Sequence, residues 1–275
     1  MAKKFWIGSS SDKSFNTASN WSPSGAPVTN DELHFTSRST SDLTDGLDQS
    51  ATTYGALVVE AGCNVNIGTE TADLDVQITG EVRFSGSGQS FVDLNSSDVD
   101  VTVENSAAAS GDNYGVNLVG TIDDLIIKGG SVGLSHAADD SASCTTINMI
   151  GGDLFIGVGL STSGGTDATI YNGSLITRST LNDVTVYGGT LTTDLSAGCD
   201  GSISIKGGSM IPSGSGSYGS VTVDGGSFDL SRSAVARTIS SIKVNAGSLI
   251  YNPSSVTISA QSEADNPVRV EVARV

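Results

Sequence analysis

A chain of 275 residues with 34 glycines, 5 prolines and a net charge of −17 is long enough for one elongated domain or two ordinary ones. Such a charge repels nucleic acid and anionic membrane, and no segment approaches the length of a membrane span. With 37% apolar residues and a mean hydropathy near zero, a core can form and wholesale disorder is excluded. The acid is concentrated: residues 39–177 hold 19 acidic and 2 basic residues, whereas the flanking stretches are close to neutral. That excess keeps a long β-rich surface soluble and discourages edge pairing.

The chain begins with Lys3 and Lys4 but no apolar h-region follows, so a signal peptide is not expected. Cys63, Cys144 and Cys199 are far apart, odd in number and free of zinc-type spacing. They read as reduced, buried thiols of a protein made in a cytoplasm. Residues 1–50 are read as an N-terminal cap and docking segment. Within residues 1–38 the repeat described below is absent, and both tryptophans, Trp6 and Trp21, accompany Phe5, Phe15 and Phe35. Trp6, Trp21 and Phe35 are expected to be buried and to close the first coil.

Residues 51–260 are read as a β-solenoid. A strand of alternating residues, a glycine pair and a second short strand recur as "VVEAGCNVNI" at Gly62, "VQITGEVRF" at Gly80, "VTVENSAAA" at Ser106 and "IIKGGSVGL" at Gly130. They recur again at Gly152, Gly173, Gly189, Gly208, Gly226 and Gly247, with a mean interval of about 20.6 residues. That period, the alternation and the lack of any helical periodicity predict an all-β fold, a single-stranded right-handed parallel β-helix of about ten coils. A propeller would need roughly forty residues per blade. Gly130, Gly152, Gly189, Gly208 and Gly226 are the predicted corners, where the backbone needs angles that a side chain forbids. Val223, Ile205, Val186, Ile170 and Ile127 are predicted to form an inward column. In residues 261–275, Val268, Val270 and Val272 alternate with polar residues. This strand either caps the last coil or adds to a neighbouring chain, which makes the three valines candidates for oligomer contact or docking.

No chemistry stands out. Asp123–Asp124 and Asp139–Asp140 are the only adjacent acidic pairs after the cap. They are placed in loops, and neighbours on a strand would point to opposite faces. "DLNSSDVD", with Asp93, Asn95, Asp98 and Asp100, offers oxygen ligands but no EF-hand register, and is read as solvated loop carboxylates. His34 sits between apolar residues and His136 in a loop, with no nucleophile motif to join them. Residues 213–220, "SGSGSYGS", lack the lysine and helix of a phosphate loop and read as a flexible loop. No catalytic, cofactor or metal site is assigned.

The pattern from Trp6 to Phe35, "WIGS…FNTASNWSPSGAPVTNDELHF", resembles the short Trp…Asn-Trp-Ser module that begins certain β-solenoid proteins. These include bacterial surface proteins with autotransporter-associated strand repeats and some tailed-phage virion proteins. The resemblance covers about thirty residues and carries no catalytic residues. It implies a non-enzymatic head decoration (cement) protein on the virion surface, with the major capsid protein as partner; because shell lattices offer local three-fold positions, a homo-oligomer, most simply a trimer, is then the expected state. The alternative is a carbohydrate-binding or carbohydrate-cleaving spike on the same scaffold. No cofactor, nucleic acid or membrane partner is expected.

Overall fold

The computed structural model describes residues 1–109, 114–137, 140–161, 165–263 and 269–272. The protein is all-β, a parallel β-solenoid of about ten coils. Among the described residues the one helical segment is a 3-10 turn, Ala18–Asn20. The chain forms two compact units, Met1–Cys144 and Thr145–Val275.

The first unit contains β1 (Lys3–Trp6), β2 (Trp21–Ser22), β3 (Glu32–Phe35), β4 (Asp48–Tyr54), β5 (Ala56–Val59), β6 (Leu74–Ile78), β7 (Val82–Phe84), β8 (Ser90–Val103), β9 (Val116–Ile127) and β10 (Ser131–Leu134). One inward column runs Trp6, Phe35, Val59, Phe84, Val103, Ile127 through parallel pairings in register. All six are at most 3% exposed. At about 1.5–3 kcal/mol per buried large side chain, such columns are the main favourable term in folding. Parallel pairing holds them together because each coil presents its apolar residue at the same step.

The segment read as a cap contributes two coil strands of its own, β1 and β3. The end is closed by β2, which pairs antiparallel with β1 (Trp6 opposite Trp21, Phe5 opposite Ser22). Pro23 follows and has no N–H to offer a further strand. Trp21 packs edge-on against Trp6 (5.2 Å), Phe15 (5.0 Å) and Phe35 (6.0 Å). Its indole N–H donates to the Phe15 carbonyl at 2.7 Å, and that of Trp6 to the Ser41 carbonyl at 2.8 Å. Asn20, fully buried, donates to the Ser14 carbonyl and accepts from the Ser10 N–H. The Asn-Trp-Ser run is thus a polar hub, an aromatic plug and an edge strand in three residues.

Gly80 is not the equivalent of Gly62. Val82 and Phe84, which follow it, stack on Leu57 and Val59, which precede Gly62. The matching corner lies after Phe84, where the Ser87 N–H donates to the Cys63 carbonyl at 2.8 Å. The strand before Gly80, β6, belongs to a different face and stacks on β4. Ser106 does stand at the corner of Gly130: its hydroxyl donates to the Ser131 carbonyl (2.9 Å) and accepts the Ser131 N–H (2.8 Å).

The second unit takes most of β11 (Ala142–Met149), then β12 (Asp153–Ile156), β13 (Asp167–Ile170), β14 (Ser174–Thr177), β15 (Val184–Val186), β16 (Thr190–Thr193), β17 (Cys199–Ile205), β18 (Ser209–Pro212), β19 (Ser217–Val223), β20 (Ser227–Asp229), β21 (Arg237–Val244), β22 (Ser248–Tyr251), β23 (Val256–Ile258), β24 (Gln261–Glu263) and β25 (Arg269–Val272). Met149, Ile170, Val186, Ile205, Val223 and Val244 form one column. Leu154, Leu175, Leu191, Met210, Phe228 and Leu249 form the next, past the corner. Between them the last glycine of each corner has positive φ, from 65° at Gly208 to 94° at Gly173; Gly130 in the first unit has 81°.

Residues 217–220, read as part of a flexible loop, open strand β19, and Tyr218 is buried. β25 pairs in parallel with β22 (Leu249 opposite Val270, Tyr251 opposite Val272), so the C-terminal strand follows the post-glycine column of its own chain. Val268 lies outside the described residues. The three cysteines are free and buried.

Candidate functional site

The most unusual chemistry in the first unit is a cavity of about 320 Å³ lined by Glu70, Asp73, Asn117, Val119, His136 and Asp140, among others. A tight turn closed by the Thr69 N–H to the Ala72 carbonyl (2.8 Å) presents Glu70 and delivers Asp73 immediately before β6. On the opposite side the chain leaves β10 at Ser135, in the left-handed region (φ 50°). The Ser135 hydroxyl donates to the Asp140 carbonyl at 3.1 Å, and the Asp140 carboxylate accepts the Ala137 N–H at 2.9 Å. That same carboxylate lies 3.4 Å from His136 Nδ1. Asn117 forms part of the lining, its side chain held by the backbone of Tyr114 (2.8 and 3.1 Å).

Register adds further carboxylates. Asp48 stands opposite Asp75, and Asp75 opposite Asp93, on neighbouring parallel strands. Burial, then the charges of Asp140, Asp93 and Asp75, push the Asp73 carboxyl up to about 6. Burial, reinforced by neighbouring aspartates, likewise raises Asp93 and Asp75, and Asp75 Oδ1 is buried without a hydrogen-bond partner. Like charges gathered in a partly dry site disfavour one another's ionised forms, so this group retains a proton that an isolated carboxyl would have lost. Among the described residues, no group of three or more His, Cys, Asp or Glu side chains is arranged to hold a metal ion.

Asp73→Asn is therefore expected to stabilise the protein at pH 7.5 by about 1–2 kcal/mol, because the carboxylate's unfavourable surroundings are partly screened by solvent. The sign follows from the direction of the shift. A carboxyl raised in the fold contributes fully below its unfolded value near 3.8 and loses that contribution as pH rises through about 6. The variant and the wild type should converge below about pH 4. Urea midpoints across pH 4–8 check this, and a difference that does not change with pH would refute it.

Of the acidic pairs singled out from the sequence, one residue reaches this cavity. Asp123 and Asp124 lie in strand β9, not in a loop, and Asp139 is outside the described residues while Asp140 lines the cavity. "DLNSSDVD" is part of the long strand β8, where register shifts at Leu94 and Val99 and a left-handed Asp98 (φ 45°) bend it from one face to the next. His34 is buried between Glu32 (3.1 Å) and Glu60 (3.3 Å), a clamp between coils. Asp73 and Asp75 went unnoticed in the sequence. Their signal was an aspartate at one step of successive coils, obscured by unequal coil lengths.

No protein-family model matches the chain, and neither a curated protein nor a solved structure shows significant similarity to it.

The second unit carries an exposed aromatic ladder. Tyr171 and Tyr187, each just before a corner glycine, stack at 5.0 Å with their planes 6° apart. Lys206 Nζ sits 4.8 Å from the Tyr187 ring centre. Both faces of Tyr187 and one face of Tyr171 are therefore covered.

Proposed function

We propose that this is a non-enzymatic structural protein of a tailed-phage virion that decorates and stabilises the capsid surface, with the major capsid protein as its partner. The observation that supports this reading most directly is the closed first coil. The residues that carry the resemblance to virion and bacterial surface solenoids, Trp6, Asn20, Trp21, Ser22 and Phe35, are the ones that terminate the stack. A solenoid closed at its first coil cannot add further copies through that edge, and a shell decoration must not polymerise if it is to bind in fixed number.

Co-sedimentation of the purified protein with capsids lacking it tests the proposal. Saturable binding and a raised capsid melting temperature are expected, and an absence of binding at saturating protein would overturn it. A second reading, a carbohydrate-cleaving spike, is favoured by one observation. Asp73, with its carboxyl raised to about 6 in a cavity beside other carboxylates, has the form of a general acid. Release of reducing ends from host surface polysaccharide, abolished by Asp73→Asn, would establish that reading and displace the first.

A further inference from the structure

The two units differ sharply in what they show to solvent. Residues 1–144 hold 20 acidic and 6 basic residues, whereas residues 145–275 hold 10 and 7. Among the described residues, the first unit exposes only Met1 and Val28 as large apolar side chains, and the second exposes Ile150, Tyr171, Ile176 and Tyr187 among others. Low charge together with exposed apolar surface is the composition of a contact face.

On that surface the residue preceding each corner forms a stripe: Ile150, Tyr171, Tyr187, Lys206, Asp224, Asn245. Lys206 and Asp224 occupy neighbouring coils, as the pairing of Ile205 with Val223 just before them fixes. They nevertheless make no ion pair with each other. Lys206 turns to Tyr187, its ammonium 3.3 Å from the phenol oxygen, and Asp224 accepts from Asn245 Nδ2 at 2.7 Å. No carboxylate lies within 4.0 Å of the Lys206 ammonium, and no basic group within that distance of Asp224, among the described residues. One positive and one negative group are thus presented side by side, next to an apolar edge, with neither neutralised by its own chain.

We propose that a second copy of this chain docks on this stripe, antiparallel, about a two-fold axis between the coils of Lys206 and Asp224. Each Lys206 then meets the other copy's Asp224, giving two ion contacts in all, and Tyr187 meets the other copy's Asn245. A surface that meets itself is isologous and closes at two copies, so the geometry favours a pair over the three-fold arrangement expected from shell lattices. The inference does not depend on the capsid reading, since it concerns the isolated protein.

Sedimentation equilibrium from about 1 to about 100 µM tests it, a range that brackets ordinary weak self-association. The wild type should dimerise, more weakly at high salt. Lys206→Asp alone and Asp224→Lys alone should each raise the dissociation constant at least about 10-fold, and the double reversal should restore it to within about 3-fold. Both positions are on the surface, so far-ultraviolet dichroism should be unchanged, and Lys206→Gln provides a milder variant with the same direction. A monomer at about 100 µM, a trimer, or a dimer indifferent to both single reversals would overturn the proposal.

Discussion

Replacing Arg237 by leucine is expected to cost about 3–5 kcal/mol, because the substitution strips several buried carbonyls of their donor at once. Arg237 opens β21 and is 3% exposed. Among the described residues no carboxylate pairs with it. Its guanidinium instead donates to the backbone carbonyls of Gly214 (2.7 Å), Leu230 (3.0 Å), Ser233 (3.2 Å) and Ser213 (3.3 Å). The planar fork ties two loops of the second unit together, and burial lowers its pKa. Arg237→Lys should recover little of the loss, since one ammonium cannot span four acceptors on two loops. Urea unfolding of the three proteins decides the matter. If leucine lowers stability by less than about 1 kcal/mol, the carbonyls find water and the arginine is dispensable.

A second large effect is expected at Gly208. Alanine there should cost about 3–5 kcal/mol, against about 1–2 kcal/mol at Gly62. Both glycines have positive φ, 65° and 87°, so both substitutions carry the backbone penalty. They differ in space. A methyl on Gly208 would lie 2.6 Å from the Gly189 carbonyl oxygen and 2.7 Å from the Gly188 carbonyl carbon, whereas one on Gly62 would meet only Ser37 Cβ at 3.5 Å. The offending atoms at Gly208 are backbone of the adjacent coil and cannot swing away. Equal losses at the two sites, measured by thermal unfolding, would show that coil-to-coil contact adds nothing to the corner's demand for glycine.

The same contrast explains which parts of the fold could be read from the sequence. From Gly152 to Gly247 each coil repeats one step, strand, corner, strand, and the glycine alone sets the alignment. In the first unit two strands per coil alternate apolar residues equally well. Val76 and Ile78 before Gly80 are as good a match to Leu57 and Val59 as Val82 and Phe84 after it, and only pairing shows that the latter two are the partners. Arg237 was invisible for another reason. A lone arginine beside serines looks like a solvated loop residue, and nothing local announces four carbonyls contributed from up to 24 residues away. The Asp73 cavity was hidden likewise, because its acids meet only through stacking.

The sealed outer edge of β1 bears on how the first unit is made. As the chain leaves the ribosome, β1 and β2 with Trp6 and Trp21 emerge before any later coil, and β3, which brings Phe35 to the plug, is the next strand to arrive. Each following strand then has its template about 19–29 residues upstream, so loop closure stays short and its entropic cost low at every step. Growth has a direction, from the plug outward, and the edge exposed while the nascent chain waits is always the one the next coil will cover.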